Sequence, residues 1–284
     1  MTRSRKFAAV GSFAATLTAG MAEALAAAGQ SVPWQMTFQD PASPVMREVD
    51  GFHDLLLVIT TLISVFVLGL LLYCIVRFNA KANPTPSRTS HNTLVEVLWT
   101  TIPVLILVVI AIPSFKLLYY ADRTVEAELT LKAIGKQWYW TYEYPDNGEI
   151  SFDAAMVEDA DLKSGEPRLL TADAAVVLPV DTNIRLLTTA EDVIHSWAMP
   201  AFGVKLDAVP GHTNETWFRI EAPGMYYGQC SELCGVRHGF MPIMVQAVAK
   251  DEFKAWVEKT KSANTGGGAS GAVSVAAADR TGTR

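Results

Sequence analysis

Two long stretches of this chain carry no charge. Residues 55–76 run for 22 positions between Asp54 and Arg77, and residues 97–115 for 19 between Glu96 and Lys116. An α-helix rises about 1.5 Å per residue, so each stretch is long enough to cross a hydrocarbon layer about 30 Å thick. The competing reading is two buried helices of a soluble core. Half of the residues are hydrophobic and the mean hydropathy is positive, at +0.21. That excess sits mainly in these two runs, so the chain is expected to fold around a membrane-spanning helical hairpin.

Charge sets the topology. The segment joining the two runs carries Arg77, Lys81 and Arg88 and no acid, which places it in the cytoplasm by the positive-inside rule. The N-terminus agrees: Arg3, Arg5 and Lys6 precede an apolar stretch at 7–17, and small residues follow. This is the pattern of a secretory signal peptide, cleaved after residues 26–28. An uncleaved third span is the alternative, but the stretch is short and broken by Ser12, Thr16 and Gly20. The expected division is a signal peptide at 1–28, an extracytoplasmic segment at 29–50 and a helical hairpin at 51–120. An extracytoplasmic domain at 121–262 and a disordered Gly/Ala-rich tail at 263–284 complete the chain.

Beyond the hairpin the pattern changes to short runs rich in β-branched and aromatic residues. They fall at 127–134, 137–144, 175–180, 183–189, 215–221, 225–229 and 242–249, separated by Gly, Pro, Asp or Asn. About eight strands of this kind read as an antiparallel Greek-key sandwich. Residues 251–261 form a short amphipathic helix with Phe253, Trp256 and Val257 on one face. From 122 to 262 there are 22 acidic against 13 basic residues. That balance excludes nucleic acid as a partner and suits a basic soluble protein, although plain solubilising acidity gives the same count.

The chemistry is concentrated in GQCSELCGVRHGFMPI, which holds Cys230, Glu232, Cys234, His238 and Met241, and in EDVIHSW, which holds His195. Two thiolates, two imidazoles and a thioether exceed the four ligands of a structural zinc, which rarely takes a thioether. Cysteine and histidine with methionine is the donor chemistry of electron-transfer copper. Five donors with two potentially bridging thiolates point to more than one copper ion. A Cys230–Cys234 disulfide is the alternative in an oxidising compartment, but it needs none of the other three donors. Cys74 lies in the first apolar run and reads as packing.

These residues carry a family resemblance. The stretch GKQWYW at Gly135 to Trp140, DVIHSW, DAVPG and GQCSELCG with its HGFMPI tail resemble subunit II of haem–copper cytochrome c oxidase of the bacterial aa-type. The likeness spans most of 44–258 and implies a transmembrane hairpin followed by a cupredoxin-like sandwich.

It also implies a binuclear copper centre in which Cys230 and Cys234 bridge both metals. His195 and Met241 complete one copper; His238 and the Glu232 carbonyl complete the other. The Glu232 carboxylate is implied as a ligand of magnesium or manganese at the junction with subunit I, as suits a hard cation. Trp138 is implied as the residue receiving electrons from cytochrome c, and Glu96 as the mouth of a proton channel in subunit I. On residue grounds alone, the aromatic run is core packing and Glu96 a helix-dipole partner. Alternation along that run puts Trp138 and Trp140 on one face and Tyr139 on the other.

Glu143, Asp146, Asp153, Glu191, Asp192 and Asp207 are candidate docking acids for cytochrome c as a group, Asp192 foremost, although each alone reads more often as a solvated surface charge. Lys136 and His212 depart from the family pattern, which commonly has a neutral, aromatic or His residue at the first and Arg at the second. The implied setting is the bacterial inner membrane, crossed twice, with the copper domain periplasmic. The partners are oxidase subunits I and III, in a proton-pumping terminal oxidase.

Three other readings fit less well. A quinol oxidase subunit lacks the copper donors, and a nitrous-oxide reductase has no use for the hairpin. A tethered copper carrier needs few, exchangeable ligands. No Cys-x-x-Cys-His haem motif occurs.

Overall fold

The structure is a computed structural model describing residues 29–123, 126–148 and 150–266. The expected signal peptide, and the tail beyond residue 266, lie outside the described residues.

Two helices account for the apolar runs. Helix α1 spans Pro44–Arg77 and α2 spans Thr93–Ala121. Both present apolar side chains outward along most of their length, and their most hydrophobic windows are wholly unburied by the chain itself. Such surfaces are stable only in contact with lipid or other apolar partners. Helix α1 begins seven residues before the expected 51. Pro44 fills its first position, where a missing N–H costs nothing. The Ser43 hydroxyl accepts from Met46 N at 3.0 Å and donates to the Phe202 carbonyl at 2.7 Å. Helix α2 is capped by Asn92, whose side chain accepts from Val95 N, and it carries Pro103 and Pro113 internally.

The described residues form two compact units, 48–122 and the rest of them. The second is a two-layer β-sandwich. Its strands are β1 (Leu129–Lys136), β2 (Tyr139–Tyr144), β3 (Ile150–Ala154), β4 (Val176–Pro179), β5 (Ile184–Ala190), β6 (His195–Met199), β7 (Val204–Ala208), β8 (Asn214–Phe218), β9 (Gly224–Cys230) and β10 (Pro242–Val248). One sheet runs β3-β2-β1-β5-β8 and the other β4-β10-β9-β6-β7. The cupredoxin-like sandwich is therefore present, but it is not wholly antiparallel. β1 pairs with β5 and β4 with β10 in parallel. A parallel pair needs a crossover connection, and strand composition does not encode which strands such a crossover will bring together.

Aromatic side chains fill the space between the sheets. Trp140, Tyr142 and Tyr144 from β2 are fully buried, as are Trp197 from β6 and Phe218 from β8. Burying one large apolar side chain is worth about 1.5–3 kcal/mol, so this layer dominates the stability of the unit. Two of its polar contacts cross the layers: Tyr144 OH donates to the Val177 carbonyl at 3.0 Å, and Trp197 Nε1 donates to Tyr142 OH at 3.3 Å, whereas Trp140 Nε1 is buried without a partner among the described residues. Helix α3 (Lys250–Gly266) lays buried Phe253 and Val257 on this core, with Trp256 5.3 Å from Tyr144. It continues past residue 263, where the tail was expected to start.

Candidate metal centre

Three connections meet at one end of the sandwich: the turn between β1 and β2, the loop from β5 to β6, and the loop from β9 to β10. β6 pairs antiparallel with β9, setting Trp197 opposite Cys230. β9 pairs with β10 so that Gln229 faces Pro242. The next position closes the loop, with Cys230 N donating to the Met241 carbonyl at 3.2 Å. Ser231 N donates to the Ser196 carbonyl at 3.0 Å. These backbone bonds bring His195 of one strand to the ligand loop of another.

The five predicted donors converge. Cys230 Sγ lies 3.9 Å from Cys234 Sγ and 3.9 Å from His195 Nδ1. Cys234 Sγ lies 3.6 Å from His238 Nδ1 and 3.5 Å from Met241 Sδ. The Glu232 carbonyl is 3.4 Å from Cys230 Sγ. The ligand atoms of His195, Cys230 and Cys234 fall within 4.8 Å of one another, and all three side chains are buried. The sulfur–sulfur separation is nearly twice a disulfide bond of about 2.05 Å, so the cysteines are free thiols. Soft donors surrounding a pair of thiols, with a carbonyl and a thioether at the periphery, fit copper.

The thiols are electrostatically unlike. Burial acts to raise Cys230, but hydrogen bonding with His195 and with the backbone at Glu232 and Ser196 outweighs it and lowers the thiol to about 7. Burial and the neighbouring Cys230 charge push Cys234 up to about 12. Ionising one thiol of the pair thus disfavours ionising the other, and a cation held between them would offset that. His195 is held above the ordinary imidazole range. Burial works against that, and Cys230 and Asp192 more than compensate.

Two glycines and a glutamine also shape the site, none of them given a role by sequence reasoning. A Cβ on Gly135 would sit 2.7 Å from the His195 ring. Gly235, at φ +122°, passes so close that a Cβ would meet Trp138 at 3.0 Å. Gln137 Nε2 and Trp138 Nε1 both donate to the Cys234 carbonyl, at 2.8 and 3.2 Å. A glycine inside a strand beside an aromatic run was the available signal for close backbone approach.

Trp138 does not share a strand face with Trp140, as alternation implied. β1 ends at Lys136 and β2 starts at Tyr139, so Trp138 lies in the turn, half-buried against the metal loop. Trp140 is buried, with its ring 5.9 Å from that of His195.

The candidate docking acids are mostly engaged within the chain. Glu143 pairs with Lys132, Glu191 with Lys136 and Asp207 with Lys205. Asp146 accepts from Thr130 N, and Asp153 from Thr141 Oγ1. Asp192 accepts from His195 Nε2 at 2.9 Å. The Lys136 departure is thereby accounted for, since its ammonium reaches Glu191 and the Tyr139 ring. His212 is exposed in a turn, its backbone N donating to the Val209 carbonyl. The Glu232 side chain is half-buried. In the helical unit, Glu96 sits in the first turn of α2, accepting from Asn92 N at 3.4 Å, with His91 Nδ1 at 3.8 Å. Cys74 is exposed on α1.

Comparison with known proteins matches residues 129–248 to the family "Cytochrome C oxidase subunit II, periplasmic domain" and residues 31–117 to its transmembrane domain. A probable cytochrome c oxidase subunit 2 from Rickettsia bellii is 53% identical over 240 residues, covering 84% of this chain and 89% of that one. The subunit 2 of Phytophthora megasperma is 48% identical, covering 80% of this chain and 87% of its own. Among solved structures, the periplasmic domain of cytochrome oxidase subunit II from Bradyrhizobium japonicum is 54% identical. It covers 50% of this chain and 99% of that one, with a TM-score of 0.47.

Proposed function

This chain belongs to the cytochrome c oxidase subunit II family, part of a haem–copper oxidase complex, and from that premise we propose that it takes electrons from cytochrome c and delivers them to haem in subunit I. Oxygen reduction takes place elsewhere in the complex. The observation that carries the reading is the convergence of five soft donors at one end of the sandwich, with Trp138 hydrogen-bonded to the Cys234 carbonyl.

Two copper ions bound there would supply a one-electron store spread over both metals. Cys230 and Cys234 would hold the pair of ions together, with His195 and Met241 serving one and His238 and the Glu232 carbonyl the other. The side chains of His195, Cys230, Cys234 and Met241 are buried, so water is kept from the thiolates. His195 and Cys230 sit on paired strands, the Met241 carbonyl accepts from Cys230 N, and the Cys234 carbonyl accepts from Gln137 and Trp138, which keeps the donor geometry the same before and after an electron arrives. A carrier releasing copper would need an open site, and burial counts against that.

Trp138 receives the electron. Its half-buried ring packs beside Gly235 of the metal loop, and its indole N–H reaches the backbone carbonyl of Cys234. The Glu232 carboxylate, two residues from either cysteine, would hold magnesium or manganese at the junction with subunit I. Glu96, at the cytoplasmic start of α2, marks the mouth of the proton channel. Glu143, Asp146, Asp153, Glu191 and Asp207 contribute a negative field that steers a basic cytochrome c. The expected signal peptide at 1–28 and the basic connection between the two spans support a bacterial inner-membrane setting with the sandwich periplasmic, beside subunits I and III.

Trp138→Phe in the assembled oxidase tests the route. Stopped-flow reduction by cytochrome c is expected to slow at least tenfold, a barrier increase of about 1.4 kcal/mol, with the copper spectrum unchanged. Reduction at the unaltered rate contradicts it.

A further inference from the structure

The helical unit carries a groove that the copper chemistry does not use. It holds about 390 Å³ between the start of α1 and the end of α2, at the end of the hairpin where both helices connect to the sandwich. Phe52 and Leu55 of α1 and Leu117 of α2 line it with apolar surface. Two unlike charges line the same groove, Glu48 on α1 and Lys116 on α2. Neither side chain forms an ion pair or hydrogen bond with another described residue. Depth adds a second constraint. The uncharged runs begin at Leu55 and end at Phe115, so Leu55 and Lys116 sit at the rim of the hydrocarbon. Glu48 lies about 10 Å farther along the helix axis, at the outer edge of a headgroup layer about 5–8 Å deep on each face.

A ligand that fits is apolar along the helices, anionic at Lys116 and cationic farther out at Glu48. We propose that the groove binds one phospholipid with an ethanolamine headgroup. Its phosphate pairs with Lys116, its ammonium with Glu48, and the start of an acyl chain lies along Phe52, Leu55 and Leu117. The order of groups is that of the lipid, in which the phosphate is nearer the hydrocarbon than the amine. Lys116 suits the rim, since its stem covers apolar surface while its head stays in the polar layer. Glu48 decides the headgroup, because a primary ammonium donates charge-assisted hydrogen bonds, about twice as strong as neutral ones. A choline headgroup has no N–H to donate, and a glycerol headgroup leaves Glu48 facing a lipid of like charge. Another protein surface laid over the groove would desolvate both charges, a cost that a hydrated headgroup avoids. The site stands whether or not the copper reading holds.

The test uses the assembled oxidase in detergent. The probe is phosphatidylethanolamine with a photoreactive group near the glycerol end of one acyl chain. Labelling is expected on the segments that hold Phe52, Leu55 and Leu117. Unmodified phosphatidylethanolamine should displace the probe at about one tenth of the concentration that phosphatidylglycerol or phosphatidylcholine needs, the difference made by a hydrogen bond to a charged group. Glu48→Gln and Lys116→Gln should each weaken labelling about tenfold for the same reason. Gly51→Leu should abolish it with both charges in place. Gly51 lines the groove, and a Cβ there meets no atom within 4 Å, so the larger side chain enters open space.

Three results overturn the proposal. Absence of labelling on those segments in the unaltered oxidase would show that protein covers the groove. Labelling that survives Gly51→Leu would place the lipid elsewhere. Displacement by phosphatidylglycerol or phosphatidylcholine as readily as by phosphatidylethanolamine would remove the role of Glu48. Should a variant fail to assemble, the displacement series in the unaltered oxidase decides alone.

Discussion

His195 is fully buried (0% exposed), and its two ring nitrogens face opposite requirements. Nδ1 looks to Cys230 and Nε2 to Asp192, while Gly135 of β1 passes against the ring face. A side chain at Gly135 would put its Cβ 2.7 Å from ring carbons, closer than real Cβ contacts come. Gly135→Ala is therefore expected to displace the ring, costing about 1–3 kcal/mol of stability as overpacking does. It should weaken copper binding by at least the tenfold typical of a disturbed ligand shell. Thermal unfolding and chelator competition on the same preparation measure both, and a variant with unaltered spectrum and midpoint would show that the contact yields freely. Residue types and spacing made the ligands legible in the sequence. The glycine and Gln137 were not, because what they contribute is a close approach between segments about 55–100 residues apart in sequence.

The strand elements show where composition is informative and where it is silent. Seven runs read from the sequence became strands, each within a few residues of its expected bounds. β6 was missed because all five of its residues are buried, leaving none of the apolar–polar alternation that marks a strand with one wet face. β3 and β7 were missed because each is only five residues long and broken by charge, Asp153 in the first and Lys205 and Asp207 in the second. The parallel pairing of β1 with β5 depends on the crossover between them, which single-strand patterns do not encode.

Helix α1 begins early because its first turn is anchored to the sandwich by Ser43 and by Arg47, whose guanidinium pairs with Glu221 and donates from Nη2 to Oε1 at 2.7 Å. The Arg47 hydrogen bond holds the Glu221 carboxyl below its ordinary value of 4.5. Because the folded-state pKa is the lower one, the pair's contribution is present in full above about pH 4.5 and is lost as pH falls through the folded value. The stability difference between the unaltered chain and Glu221→Gln should then be largest near neutrality and shrink in acid. Tryptophan fluorescence during denaturation across that range checks it, and a difference independent of pH would contradict it.

At the scale of the whole molecule, the chain combines a membrane-spanning hairpin with a β-sandwich that closes one end around five soft donors. Hairpin and ligand set were both legible from sequence, one from uncharged length and the other from residue chemistry. Their joint meaning needed the fold, which turns a string of donors into a buried cluster, 3.9 Å between sulfurs, beneath an indole. Metal content with electron spin resonance of the purified full-length chain tests that account most directly. Two coppers per chain, with hyperfine structure shared by both ions in the oxidised form, is the predicted result. A single copper with a one-ion pattern, or a colourless form that yields its metal to weak chelators, would contradict it.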